Sequence, residues 1–224
     1  MKTNPALFSA NELLNAYSNK TMSPVEATKA ILDHIKNYDK KLNSFRLVDE
    51  EKALESARAS EERWSMGTPA GLVDGVPTTI KDLVATKGWS TRRGSLTTND
   101  KGPWKEDAPL VARLRSNGAV LLGKTTTPEF GWKGVTDSPL TGITRNPWDL
   151  TKTPGGSSGG AAAAAAACFG ALHHGSDGGG SIRMPSGYTG IYGLKPTFGR
   201  VPTWPASGFG TLSHQGPMTR TVDD

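Results

Sequence analysis

The 224-residue sequence contains one cysteine and no long apolar run. A lone cysteine, Cys168, excludes an intrachain disulfide and fits a reducing compartment. No window approaches 18 consecutive apolar residues, so no membrane-spanning helix is predicted. The first residues, MKTNPALFSANELL, lack the apolar segment of a secretory signal. We therefore expect a cytoplasmic protein with no membrane partner.

The sequence also lacks long blocks of like charge and metal-binding motifs. Lys and Arg total 26 against 21 Asp and Glu, without the long blocks of like charge that mark nucleic-acid binding. The four histidines form no H-x-x-x-H motif, and the adjacent His173 and His174 would point to opposite faces of a strand. We therefore expect no direct nucleic-acid partner, no metal and no cofactor.

Glycine, in contrast, is abundant and unevenly placed. Of the 27 glycines, sixteen follow Leu150, which divides the chain into a charged, helix-rich first part and a glycine-rich second part. Glycine is used where the backbone must turn sharply or approach another group closely. Functional residues are therefore sought mainly in the second part.

Helical and strand patterns alternate along the chain. Capping boxes at Ser9/Glu12 and Ser23/Glu26 predict two helix starts. Further elements are predicted as a helix over about 49–64, a strand over about 75–80, a helix over about 108–117, a buried strand over 119–122 and a short strand near 171–174. This alternation is typical of an α/β fold.

Two glycine-rich segments frame a run of seven alanines. Gly155–Gly160 precedes Ala161–Ala167, which predicts a buried helix whose N-terminal amides point at the glycine-rich loop. Gly178, Gly179 and Gly180 stand directly before Ser181. Such a run exposes several backbone N–H groups together, which is what an oxyanion hole requires.

Two further motifs invite other interpretations. Gly118–Thr125 matches the phosphate-loop pattern, but its central residues read as a buried strand rather than a loop, so we reject ATP binding. Ser158 lies in a G-x-S-x-G pattern, and Asp177 and His214 follow in the triad order of α/β-hydrolases. A core strand must precede that motif, and residues 149–154 do not resemble one. Cys168 is interpreted as a small buried residue.

Taken together, the glycine-rich segments resemble the amidase signature family. The segments Gly155–Gly160 and Gly175–Ser186 match its paired serine motifs, including the 24-residue step from Ser157 to Ser181. Gly75–Asp82 resembles its lysine segment, and the resemblance runs from about Phe8 to Asp224. It implies a mixed twisted β-sheet flanked by helices. We expect residues 1–224 to form one domain, with a helical region over about 7–66 and a catalytic core over about 71–224.

The resemblance implies a Ser–Ser–Lys triad. Ser181 would be the nucleophile, Ser157 a bridging serine in a cis peptide, and Lys81 the base. A free lysine has a pKa near 10.4, so its neutral form costs about 4.6 kcal/mol at pH 7, and burial lowers that pKa. We therefore expect Lys81 to be buried against Ser157, and Asp82 to point away.

The same resemblance assigns supporting roles around the triad. The backbone amides of Gly178, Gly179, Gly180 and Ser181 would form the oxyanion hole. Asp177 and Arg183 would brace the glycine-rich loop, and Ser158 would be the weaker serine candidate beside Ser157.

Members of the family are far longer than this chain, so we expect an N-terminal portion with a sheet incomplete at the C-terminus. The leading functional interpretation is a stand-alone amidase acting on a small-molecule amide, with a homodimer left open. The first alternative is the glutaminase component (the A subunit) of the tRNA-dependent amidotransferase, whose Asp-Glu-Phe-Ala-Met-Gly motif is missing from the segment Thr126–Gly134. The second alternative is a catalytically inactive truncated fragment.

Overall fold

The structure, a computed structural model, describes residues 4–102 and 104–224. Residues 1–3, the start of the N-terminal segment considered above, lie outside it. The helices are α1 (Ala10–Ser18), α2 (Pro24–Leu42), α3 (Glu50–Ser65), α4 (Pro109–Ser116), α5 (Gly159–Ala166) and α6 (Arg183–Thr189). The strands are β1 (Phe45–Val48), β2 (Pro77–Lys81), β3 (Val120–Thr125), β4 (Asp137–Ser138), β5 (Gly142–Ile143), β6 (Leu172–Asp177), β7 (Tyr192–Gly193) and β8 (His214–Thr219). Short 3-10 turns occupy Pro5–Leu7, Glu129–Gly131 and Gly210–Leu212.

Six strands form one mixed sheet in the order β1-β3-β2-β6-β8-β7, while β4 and β5 form a separate hairpin. The central strand β2 is parallel to both β3 and β6, whereas β1 and β8 join antiparallel to β3 and β6. The expected α/β class and mixed sheet are thus confirmed. The glycine- and proline-containing β8 and the four-residue β1 are additions that the sequence patterns did not predict.

The N-terminal helices begin where the capping boxes place them. Ser9 Oγ accepts from the Glu12 amide at 3.1 Å, and Glu12 accepts from the Ser9 amide at 2.8 Å. The Ser23/Glu26 pair repeats the arrangement at 3.2 and 2.8 Å. These reciprocal bonds satisfy amides that have no partner within a helix. None of the helices within residues 4–102 and 104–224 is long and apolar enough to cross a membrane.

Helix α5 lies buried against the sheet because its side chains are so small. Ala161 to Ala165 are completely buried. A Cβ added to Gly160 would collide with the backbone amide of Thr126, and one added to Gly159 would collide with the Thr136 side chain. The absence of side chains at the first turn therefore lets the start of α5 approach the end of β3 closely.

The segment that matches the phosphate-loop pattern, Gly118–Thr125, does not form a phosphate loop. Helix α4 precedes Gly118, and Val120–Thr125 form a fully buried strand. The Lys124 amine is buried and donates to the Val84 carbonyl and to the Thr86 hydroxyl. The lysine that would contact phosphate instead holds the segment after β2 against the sheet.

Candidate active site

The glycine-rich segments and Lys81 meet at one edge of the sheet. Lys81 ends β2 and Asp177 ends the parallel strand β6, so both reach the same edge. The residues before α5 and those before α6 lie beside them. This edge is also where open parallel sheets commonly bind ligands.

Lys81 is completely buried and points at three serines. Its Nζ donates to Ser157 Oγ at 2.7 Å, to Ser158 Oγ at 2.8 Å and to Ser176 Oγ at 3.0 Å. Three hydroxyl acceptors match the three protons of an ammonium group. The amine is therefore fixed in position by neutral groups only.

Burial lowers the pKa of Lys81 to about 7, although the negative charge of Asp177 partly opposes this change. Asp82, the next residue, turns to the other side of the strand. Its carboxylate lies 2.9 Å from Arg46 Nε and 3.8 Å from Lys124 Nζ. Since Asp82 is engaged elsewhere, no adjacent carboxylate restores the ordinary basicity of Lys81.

Ser157 and Ser158 differ in how their hydroxyls are engaged. Ser157 follows a cis peptide bond after Gly156, and its side chain borders a cavity that opens over this edge of the sheet. Ser158 Oγ accepts from Lys81 and from the Ser176 amide at 3.2 Å, and donates to the Ser176 carbonyl at 3.1 Å. The single proton and both acceptor sites of Ser158 are therefore occupied.

Ser181 lies beside these serines without bonding to them through its side chain. Its carbonyl accepts from the Ser158 amide at 3.2 Å, which places the two backbones in contact. Ser181 is half-buried and borders the same cavity as Ser157. Within the described part of the chain, its hydroxyl makes no hydrogen bond. Lys81 is thus hydrogen-bonded to Ser157, whereas the hydroxyls of Ser157 and Ser181 are not hydrogen-bonded to each other.

Asp177 organises the glycine-rich loop. It accepts from the amides of Gly180 at 2.8 Å, Ile182 at 3.1 Å and Arg183 at 3.3 Å. The Arg183 guanidinium adds two bonds at 3.0 and 2.9 Å. Burial alone would raise the pKa of Asp177, but these donors outweigh it and hold the pKa well below its usual range.

This arrangement changes the set of oxyanion donors. The Gly180 amide, expected among them, donates to Asp177 instead, because the carboxylate lies beneath the loop. Across residues 4–102 and 104–224, the amides of Gly178, Gly179 and Ser181 have no hydrogen-bond acceptor. Three of the four expected donors are therefore unengaged.

A cavity of about 660 Å³ opens over this edge. Its wall includes Ser157, Ser181 and the Gly178–Gly179 backbone. Four aromatic side chains, those of Phe130, Trp132, Trp204 and Phe209, also line it, and Trp132 stacks on Phe209 with ring centroids 5.7 Å apart. A volume in this range holds a small organic molecule.

Sequence patterns missed two residues that shape the site. Ser176 contributes the third hydroxyl around Lys81, and because only the pairing of β6 with β2 brings it there, no local motif marks it. Thr136 donates to the Gly155 carbonyl at 2.9 Å and accepts from the Gly159 amide at 3.1 Å, which fixes the loop before α5. No local motif marks Thr136.

The α/β-hydrolase interpretation of Ser158 has no geometric support. No strand leads directly into Ser158, since residues 150–158 form none, and its hydroxyl bonds to Lys81 and Ser176. His214 Nδ1 contacts the backbone carbonyls of Leu212 and Asp177 at 2.8 and 3.2 Å. Ser158 therefore lacks a histidine base.

The chain is similar in sequence to known proteins. The family described as Amidase matches residues 26–224. The A subunit of the glutamyl-tRNA(Gln) amidotransferase of Salinispora tropica is 43% identical over 218 residues, covering 97% of this chain and 44% of that protein. Its counterpart from Alkaliphilus metalliredigens is 42% identical, covering 95% and 43%. The chain therefore spans less than half the length of the curated relatives it matches.

Solved structures show the same relationship. A bacterial aryl acylamidase of the amidase signature enzymes superposes with a TM-score of 0.89 at 35% identity, covering 96% of this chain and 45% of that one. The peptide amidase of Stenotrophomonas maltophilia superposes with a TM-score of 0.88 at 31% identity, covering 98% and 46%. On the extent of the family match and the likeness of fold, this chain belongs to the amidase signature family.

Proposed function

We propose that this protein hydrolyses a carboxamide through an acyl-enzyme, with Ser181 as nucleophile, Ser157 as bridging serine and Lys81 as base. The 2.7 Å contact between the buried Lys81 amine and Ser157 Oγ carries the proposal. An unactivated serine is a weak nucleophile and needs a base within hydrogen-bond reach. With a pKa of about 7, Lys81 is neutral in about half of the molecules at neutral pH.

The reaction begins with two coupled proton transfers. Neutral Lys81 takes the proton of Ser157, which takes that of Ser181 as its oxygen attacks the amide carbon. The proton then returns through Ser157 to the leaving nitrogen, so that ammonia or an amine departs. Water hydrolyses the ester by the same route. Hydrogen bonds of this kind are often open in unliganded enzymes and close around substrate, which accounts for the unmade Ser157–Ser181 contact.

The oxyanion of the tetrahedral intermediate is held by backbone amides. Gly178, Gly179 and Ser181 supply the donors, while Gly180 keeps the loop in shape through its bond to Asp177. Preorganised donors of this type usually give the largest electrostatic contribution in acyl transfer. Ser158 takes no proton in this scheme, because its hydroxyl is fully engaged.

The curated relatives help to choose between the candidate amide substrates. The missing amidotransferase motif in Thr126–Gly134 favours a stand-alone amidase, but the curated relatives support the alternative better. They are named as A subunits of the glutamyl-tRNA(Gln) amidotransferase and are 42–43% identical to this chain. Glutamine is therefore the first substrate to test, and further subunits and tRNA are the partners that those names suggest.

The aromatic side chains that line the cavity support a stand-alone amidase as the second candidate function. Trp132 and Phe209 form an apolar surface suited to an aryl or alkyl group. The aryl acylamidase and a 6-aminohexanoate cyclic dimer hydrolase, at 35% and 32% identity, act on amides of that character by their names.

A covalent probe and two substrates test the proposal. A fluorophosphonate should label Ser181, and Ser181→Ala should abolish labelling and turnover while the protein stays folded by circular dichroism. Ammonia release from glutamine is compared with arylamine release from an acylanilide, with and without the partner subunits. Labelling at Ser158, or none at all, would contradict the triad, and the latter result would favour an inactive fragment.

A further inference from the structure

Among the residues that the structure describes, one charged side chain on the cavity wall has no hydrogen-bond or ion-pair partner. The charged residues there are Arg93, Lys133 and Asp177. Asp177 is paired with Arg183 at 2.9 Å, and Lys133 with Asp137 at 2.8 Å. Within the described part of the chain, the Arg93 guanidinium makes no hydrogen bond or ion pair. The cavity that contains the reactive serines therefore carries one unbalanced positive charge.

The backbone of Arg93 is fixed on both sides. Its amide donates to the Asp82 carbonyl at 3.0 Å, and its carbonyl accepts from the Phe130 amide at 2.7 Å. Its φ of 55° lies in the left-handed region, which is uncommon for a residue other than glycine. Backbone strain of this kind is concentrated at functional sites. The two hydrogen bonds tie Arg93 to the residue after Lys81 and to the segment that runs beside Ser157.

That segment connects Arg93 to the reacting groups. A Cβ added to Gly131 would lie 3.2 Å from Ser157 Oγ, so the backbone after Phe130 runs along the reactive hydroxyl. Arg93 is thus held at the wall of the cavity by the same short segments that border Lys81 and Ser157. Arg93 and Ser181 line the same cavity, so a substrate placed for attack by Ser181 lies in the cavity that Arg93 borders.

We propose that Arg93 binds a carboxylate on the substrate, at the end remote from the scissile amide. A guanidinium presents paired N–H donors that match the two oxygens of a carboxylate. The inference rests on the proposed amide hydrolysis and narrows its substrates to amides that carry a negative charge. The carboxylate belongs either to the acyl half, as in the monoamide of a dicarboxylic acid, or to the leaving amine, as in an N-acyl amino acid.

Binding to the Ser181→Ala protein, measured by calorimetry, tests the inference without turnover. Glutaramate is compared with pentanamide for the acyl half, and N-benzoylglycine with N-ethylbenzamide for the amine half. Each pair differs chiefly in the carboxylate. We expect one of the two acids to bind about 10- to 100-fold more tightly than its neutral partner, as a charge-assisted hydrogen-bond pair would give.

Second substitutions assign that preference to Arg93. Arg93→Gln should abolish it, and Arg93→Lys should keep part of it, because a lysine retains the charge without the paired donors. Arg113→Gln makes the same change in charge at an exposed position on α4, away from the cavity, and should leave the preference intact. Equal binding of acid and neutral compound in both pairs, or a preference that survives Arg93→Gln, would overturn the inference. The proposed function fails separately, if the wild-type protein neither labels with fluorophosphonate nor hydrolyses any amide.

Discussion

Burial of the Lys81 amine makes the stability of the fold depend on pH. The pKa of Lys81 is about 7 in the folded protein and 10.5 in water, the value expected for the unfolded chain. Below pH 7 both states hold the proton, and the folded protein bears the full cost of a buried charge. Between pH 7 and 10.5 only the unfolded state holds it, so the free energy of unfolding rises with pH. Lys81→Met removes this dependence while keeping the length of the side chain.

The magnitude follows from the pKa difference. A shift of about 3.5 units corresponds to about 5 kcal/mol at low pH. The cost is nearly complete at pH 6 and falls below about 1 kcal/mol at pH 10. Loss of three hydrogen bonds to serine hydroxyls, worth about 1 kcal/mol each, opposes the gain at every pH. Lys81→Met should therefore be the more stable protein at pH 6 and the less stable at pH 10, with a total change of about 4 kcal/mol.

Urea denaturation of the wild type and of Lys81→Met at pH 6, 8 and 10 measures this change. Lys36→Met on the exposed face of α2 is the control, because the same atoms are replaced where the amine stays in water. The activity of the wild type should also rise with pH through about 7, as the neutral amine is formed. A wild-type-minus-variant difference that is constant from pH 6 to 10 would show that Lys81 is not desolvated as described.

Two further predictions concern the loop and the helix beside the site. The pKa of Asp177 is lowered, so its carboxylate stabilises the folded state above about pH 4, and this contribution is lost on acidification. The melting temperature should therefore fall less steeply from pH 7 to pH 3 in Asp177→Asn than in the wild type. Parallel curves of melting temperature against pH would refute this role. Gly160→Ala drives a methyl group into the Thr126 backbone and should cost about 1–3 kcal/mol in urea denaturation. Gly187→Ala, which meets nothing within 4 Å, should cost little, and equal effects would contradict the packing of α5.

Much of the fold follows from local patterns. Ser9 and Ser23 cap their helices as the spacing of Glu12 and Glu26 predicts, because a capping box depends only on residues within one turn. Strand β8 could not be predicted in this way. Its sequence HQGPMT contains glycine and proline, and it is held by pairing with β6 and β7, which are distant in sequence.

The candidate site likewise has features that the sequence could predict and features that it could not. The burial of Lys81 beside Ser157 could be argued in advance, since a lysine base needs a lowered pKa and hence desolvation. The engagement of the Gly180 amide by Asp177 depends on how the loop folds over its own carboxylate, and no periodicity encodes that. Ser176 beside Lys81 likewise depends on the register of β6 against β2.

Because the Ser158 hydroxyl is fully engaged, two adjacent serines have separate roles: Ser158 affects the basicity of Lys81, and Ser157 transfers the proton. Its hydroxyl accepts a hydrogen bond from the Lys81 amine and so stabilises the charged form of the lysine, but its one hydrogen is donated to the Ser176 carbonyl and is not exchanged with the lysine. Replacement of residue 158 among relatives would therefore shift the pH optimum of the enzyme, while the path of the proton through Ser157 stayed open. Adaptation to acidic or alkaline surroundings is thus available to this architecture without any change in the reacting groups.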